Sequence, residues 1–184
     1  MKKIKISIDK KGAIIALSVT IFTILTDYFS KITVMENMEL RESIPIIKNV
    51  FHLTYITNPG AAFGMLQNNR WVFLIVSTVG ILAVFLYLLM KRPASKLLCL
   101  SLSFIVGGGI GNMIDRVLLG YVVDFFDFCL INFAIFNVAD SFVCVGAGLL
   151  SLWVILDTIA EEKRLKAEKA AKEAAAKTEE KAHE

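Results

Sequence analysis

The residues best equipped for chemistry in this chain of 184 residues are aspartates near the ends of apolar segments: Asp115, Asp124, Asp127 and Asp140, with Asp27 further away. Two carboxylates held close together cannot both ionise easily, so one keeps a proton at working pH. One then acts as base on a water and the other as acid toward a scissile carbonyl. The result is water attack on an amide without a covalent intermediate. This chemistry needs no cofactor, and the sequence carries no metal or nucleotide motif. Spacing alone leaves the pair open: Asp115, Asp124, Asp127 and Asp140 are all eligible, and Asp27 is a distant fifth.

Other polar residues accompany them. Asn58-Pro59-Gly60-Ala61-Ala62-Phe63-Gly64 offers small residues for close backbone packing and, in Asn58, both a donor and an acceptor. Its structural reading is a turn. Gly107-Gly108-Gly109-Ile110-Gly111 permits close helix contact inside a membrane, and Asn112, Asp115 and Arg116 follow it. The glycines superficially resemble a phosphate cradle, but no Lys-Ser/Thr follows and no soluble strand precedes. Arg116 can hold a carboxylate in a fixed fork. Asn137 and Asp140 are three apart and share a helix face. Asp140 also has a structural reading, as a carboxylate facing the helix dipole. Asp27 and Lys31 stand at i, i+4 with the acid first, the better order for a same-face pair. They read equally as an interfacial ion pair that snorkels to water.

Two histidines, His52 and His183, leave little room for His-based catalysis. Cys99, Cys129 and Cys144 lack zinc-like spacing. Cys99 and Cys144 lie in apolar runs and read as small core residues.

The elements that must position these groups belong to a membrane protein. The chain is 56% hydrophobic with a mean hydropathy of +0.64, and its apolar residues come in long blocks. A transmembrane helix needs roughly 20 mostly apolar residues. Four spans are predicted, at about 12–34, 71–90, 97–114 and 138–159. The first is longer than a signal-peptide core, carries Asp27 and Lys31, and is followed by no convincing small-residue cleavage site, so it is expected to stay. Lys and Arg flank the N-terminus, the link holding Lys91, Arg92 and Lys96, and the tail holding Lys163, Arg164 and Lys166. Both termini are therefore expected in the cytoplasm, with outer loops at about 35–70 and 115–137. Phe51–Thr57 alternates like a strand, and Tyr121–Phe128 is rich in aromatic and β-branched residues. A small sheet on the outer membrane surface is expected. Residues 1–160 thus form a mainly α membrane domain. Residues 161–184 form a Lys/Ala/Glu tail, a solvated helix or partly disordered, without a catalytic role. Asp27 falls roughly 22 Å along the first helix from Gly12, near the outer leaflet, so the polar residues converge on one side. The net charge of +3 is too small to suggest a nucleic-acid partner.

Asn58–Gly64, Gly107–Phe125 and Phe136–Asp140, in this order and with these separations, resemble the lipoprotein signal peptidase (signal peptidase II) family. The resemblance covers roughly residues 12–160. It implies that Asp124 and Asp140 are the catalytic pair of an aspartic endopeptidase. It also implies that Asn58, Gly60, Asn112, Arg116 and Asn137, with Asp115, order the site and bind substrate. Asp27 and Lys31 match a family motif Asp-Gln-x-x-Lys, from which this chain departs with Tyr28 in place of Gln. The implied substrate is a prolipoprotein, cut just before a cysteine that already carries diacylglycerol. The implied setting is a bacterial inner membrane, with membrane lipids as partners, no metal or cofactor, and a monomer as the working form. Three rivals remain open at this point. One is a head-group transferase that uses its aspartates as Mg²⁺ ligands. Another is a Ser/Lys protease built on Ser30 and Lys31, although adjacent helix residues do not face each other. The last is a non-enzymatic lipid carrier.

Overall fold

A computed structural model describes residues 10–60, 71, 75, 78–84, 87 and 95–182. Helix α1 runs over Lys10–Asn37, α2 over Lys96–Leu118 and α3 over Val138–Ala182. At 1.5 Å per residue the shortest, α2, is about 34 Å long, enough to cross a hydrocarbon layer about 30 Å thick. Among the described residues these three helices are long and apolar enough to span a membrane. Their outer faces carry apolar side chains such as Ile14, Leu17, Phe22, Phe29, Val145 and Ile155, all roughly half exposed or more. Water would disfavour such a surface, and lipid accommodates it. Of the span expected at 71–90, residues 71, 75, 78–84 and 87 are helical; the remainder lies outside the described residues.

Helix α2 is the centre of the bundle and packs on both α1 and α3. Its glycines make this possible. A Cβ on Gly111 would sit 2.5 Å from Asp27 Oδ2, and one on Gly108 would collide with the Ala139 carbonyl oxygen. The helix begins at Ser95, whose hydroxyl accepts from the Leu98 N–H at 3.3 Å. It extends four residues past the expected end at 114. Asp115 and Arg116 are therefore helical, not loop residues. Charges hid this extension from a reading of hydropathy. The backbone continues until Leu119 and Gly120 both donate to the Asp115 carbonyl, with Gly120 at φ 87°.

Helix α3 shows no break at residue 160. Residues 149–182 contain neither Gly nor Pro and are rich in Ala, Lys and Glu, which favour helix. The tail is thus a continuation of the last span up to Ala182.

The three strands are β1 (Ser43–Ile47), β2 (Phe51–Asn58) and β3 (Val122–Asp127), joined antiparallel in the order β1-β2-β3. The strands expected near 51–57 and 121–128 are present. β1 escaped the sequence reading. It contains Pro45, which strands tolerate at an edge, and all five of its residues are exposed. The sheet rests on the end of α1: Val34, Val123 and Phe125 are buried together, with Met35, Met38, Leu53 and Tyr55 packed around them. Phe51, Phe126, Phe128 and Phe136 form an aromatic group on the sheet, with Phe128 and Phe136 stacked at 5.8 Å.

Candidate active site

The site begins with the way α3 starts. Asn137 is the cap, and its Oδ1 accepts from the Asp140 N–H at 2.9 Å. The Asp140 Oδ2 accepts in return from the Asn137 N–H at 3.3 Å. This reciprocal capping box satisfies two backbone donors of the helix end. The N–H between them, that of Ala139, donates to Asp27 Oδ1 of α1 at 2.8 Å. A local rule for starting helices therefore fixes the direction of Asp140.

Asp124 comes from β3. Four consecutive residues, Val122–Phe125, are buried, because one face of the strand meets the core under α1 and the other meets the start of α3. Asp124 is 1% exposed. Its Oδ1 accepts from Asn137 Nδ2 at 2.7 Å and its Oδ2 from Asn58 Nδ2 at 2.9 Å. Asn112 donates to Asp140 Oδ1 at 2.7 Å, and its own Oδ1 accepts from Asn137 Nδ2 at 3.0 Å. The two carboxylates are thus linked through two amides. Asn58 reaches Asp124 because β2 pairs beside β3, with Asn58 opposite Val122 and Ile56 opposite Asp124. The Asn58 Oδ1 accepts from the Gly60 N–H at 3.0 Å. Arg116 spans the same region, with Nη1 donating to the Asn112 carbonyl at 3.2 Å and Nη2 to the Gly60 carbonyl at 3.1 Å.

Beneath this layer lies a buried ion cluster. Lys31 is 2% exposed, and its Nζ contacts Asp27 Oδ2 at 2.8 Å, Asp115 Oδ2 at 2.9 Å and Asn112 Oδ1 at 3.1 Å. Three donors meet three acceptors, so the ammonium is fully satisfied. Asp115 Oδ2 also accepts from the Val123 N–H at 3.1 Å, which ties α2 to β3. Asp27 and Lys31 are therefore an internal pair. The interfacial, snorkelling alternative is excluded by their burial.

The eligible aspartates now separate. Asp27 and Asp115 are occupied by Lys31 and by backbone donors. Asp127 accepts from Thr54 Oγ1 at 2.8 Å on the sheet. Asp124 and Asp140 both line one cleft of about 370 Å³ with Asn58, Asn112 and Arg116. Burial pushes the Asp124 carboxyl up to about 7; the charge of Asp140 adds to this, while the Asn58 and Asn137 hydrogen bonds and Lys31 oppose it. Two cations, Lys31 and Arg116, serve four carboxylates here, and a proton on Asp124 halves the imbalance.

Most of the remaining wall is apolar, with Val122, Phe133, Ile135, Phe136 and Val143 contributing to it. The 133–135 stretch was not singled out from the sequence, because a short apolar run between elements carries no signal of what it faces. Cys144 is a correction. It is exposed and lines the cleft rather than the core, because it follows Asp140 by four residues and shares its helix face. Of the group Asn58–Gly64, residues 58–60 are in place and residues 61–64 lie outside the described residues. Among the described residues, the His, Cys, Asp or Glu side chains that cluster closely enough for a cation are His52, Asp127 and Cys129, outside this cleft.

Comparison with known proteins matches the chain to one family. A family model described as signal peptidase (SPase) II matches residues 19–156. The chain is 48% identical over 134 residues to a lipoprotein signal peptidase of Brevibacillus brevis, covering 73% of this chain and 90% of that protein. It is 49% identical over 138 residues to that of Clostridioides difficile, covering 74% and 92%. Among solved structures, it resembles a bacterial membrane enzyme with a TM-score of 0.74 at 29% identity, covering 78% of this chain and 88% of that one.

Proposed function

The chain belongs to the signal peptidase II family, and we propose that it is an aspartic endopeptidase that removes signal peptides from diacylglyceryl-modified prolipoproteins. The observation that carries this reading is the pair Asp124 and Asp140, facing one cleft and joined through Asn112 and Asn137. The pair shares one proton, and burial favours its residence on Asp124. Asp140 takes a proton from a water in the cleft. That water's oxygen forms a bond to the scissile carbonyl carbon, and the Asp124 proton passes to the carbonyl oxygen. The resulting diol collapses as the peptide C–N bond breaks: Asp140 gives its proton to the leaving nitrogen, and one diol hydroxyl returns a proton to Asp124 as the new carbonyl forms. Both carboxyls return to a state with one shared proton, and no covalent intermediate forms.

Asn112, Asn137 and Asn58 position the pair, because each amide donates to one of its carboxylate oxygens. Arg116 brings positive charge to the cleft mouth and ties it to the Asn58–Gly60 turn. The apolar wall suits a signal helix and acyl chains, so the bond before a lipidated cysteine can meet the carboxylates while its lipid stays in the bilayer. Lys and Arg on the flanks support cytoplasmic termini and a site at the outer leaflet of the inner membrane. A single chain supplies every group named, which supports a monomer.

The test is a gel-shift cleavage assay. A diacylglyceryl-modified prolipoprotein is mixed in detergent with the unaltered chain, Asp124→Asn and Asp140→Asn, with EDTA throughout. Cleavage by the unaltered chain and near-total loss in both folded variants is expected. Normal processing by either variant would overturn the pair. Activity abolished by EDTA and restored by Mg²⁺ would transfer the reading to a metal-dependent transferase or hydrolase.

A further inference from the structure

We propose that the sheet carries a cation site of its own, built by His52, Asp127 and Cys129 and suited to a borderline-soft divalent ion such as Zn²⁺. The residues are distant in sequence. Strand pairing sets His52 opposite Asp127, and the turn after β3 brings Cys129 beside them. One ligand atom from each lies within 4.8 Å of the others, and all three residues are partly buried. Tetrahedral bonds of about 2.0–2.3 Å to N, O and S would draw them closer together. An imidazole, a carboxylate and a thiolate, with a fourth position open to water, form a donor set of the kind zinc accepts. Magnesium and calcium prefer oxygen donors alone.

The hydrogen bonds around the site set the histidine for this role. Thr54 Oγ1 donates to Asp127 Oδ2 at 2.8 Å, which uses its only proton. Ser43 Oγ, 2.8 Å from Thr54 Oγ1, must then be the donor of that pair. Its oxygen is left to accept from His52 Nδ1–H at 3.2 Å. The chain runs one way, from imidazole through two hydroxyls to a carboxylate, and in the neutral ring it leaves Nε2 as the acceptor. That atom is buried and has no hydrogen-bond partner. A buried acceptor left unmatched is unfavourable, and a metal ion on Nε2 removes the deficit. A ring fixed through its other nitrogen is the usual support for a histidine ligand. The Cys129 thiol, now 3.7 Å from the Asp127 carbonyl, gives its proton to solvent as the metal–sulfur bond forms.

The test uses the full chain in detergent, stripped with a chelator and exchanged into metal-free buffer. Co²⁺ is titrated in and read by its thiolate charge-transfer absorption, and Zn²⁺ is then used to displace it. A saturable band is expected. It should vanish in Cys129→Ser, persist in Cys99→Ser and Cys144→Ser, and require at least tenfold more Co²⁺ in His52→Gln. Ser43→Ala removes no ligand but frees the His52 ring, and should weaken binding about 10–100-fold. Unfolding temperatures without metal verify that each variant is folded. Should Cys129→Ser not fold, His52→Gln and Ser43→Ala decide the matter. A missing band in the unaltered chain, a band that survives Cys129→Ser, or equal binding in His52→Gln and Ser43→Ala would overturn the site.

Discussion

Lys31 is the residue whose removal should tell most about how this site is held. Its ammonium is 2% exposed and is shared among Asp27 at 2.8 Å, Asp115 at 2.9 Å and Asn112 at 3.1 Å. Lys31→Met keeps most of the side-chain volume and deletes the charge. Two buried carboxylates then lack their counter-ion, and breaking a buried pair in this way costs about 3–5 kcal/mol. Backbone donors remain, the Ala139 N–H on Asp27 and the Val123 N–H on Asp115, so the lower end of that range is expected. At about 1.4 kcal/mol per decade, 3 kcal/mol is roughly a hundredfold in the folded-to-unfolded ratio. The charge of Lys31 also holds the Asp124 carboxyl down, so its loss should move the upper limb of the pH–rate profile above about 7. The assays are denaturant unfolding in detergent and prolipoprotein cleavage across pH. Adding Asp115→Asn to Lys31→Met removes one stranded carboxylate and should recover about 1–2 kcal/mol, a coupling typical of groups in contact. A Lys31→Met protein that lost less than about 1 kcal/mol, with an unmoved limb, would refute the claim that this ammonium compensates the buried charges.

Other outcomes follow from the same contacts. Asn137→Ser keeps a cap oxygen for the Asp140 N–H but loses the buried amide that donates to Asp124 and Asn112, so stability should fall by about 1–3 kcal/mol while cleavage by the folded variant drops about 100-fold or more; cleavage within about tenfold of normal would mean that the contact with Asp124 does not matter. Cleavage should decline as pH rises through about 7, where the proton on Asp124 is lost. The linked stability has the same sign: the folded value lies above the ordinary 3.8, so the contribution is full below 3.8 and is lost as pH rises through 7. Asp124→Asn should flatten that slope in unfolding measured between these pH values. Gly111→Ala places a methyl 2.5 Å from Asp27 Oδ2, and should lower the unfolding temperature and cleavage together, whereas Gly148→Ala, with open space around it, should alter neither.

Much of this molecule was legible before folding was considered. Apolar blocks of membrane length announced three of the helices, since lipid requires such runs, and the Phe51 and Tyr121 segments announced two strands through alternation and β-branched content. Polar residues placed where burial is costly marked the site region, and the motif order marked the family. Other features were invisible because they depend on contacts between distant segments. The edge strand β1 has no buried face and contains Pro45. α2 runs through Asp115 and Arg116 because Lys31, from another helix, neutralises a charge that reads as a stop. Cys144 faces the cleft because it shares the face of Asp140. Composition and pattern thus determined the solvent, most of the elements and the pool of candidate aspartates. Only the tertiary structure gave those aspartates different surroundings, because which donors reach a carboxylate depends on contacts between distant segments: Lys31 holds Asp27 and Asp115, Thr54 holds Asp127, and Asp124 and Asp140 face an open cleft, the difference on which the proposed pair rests.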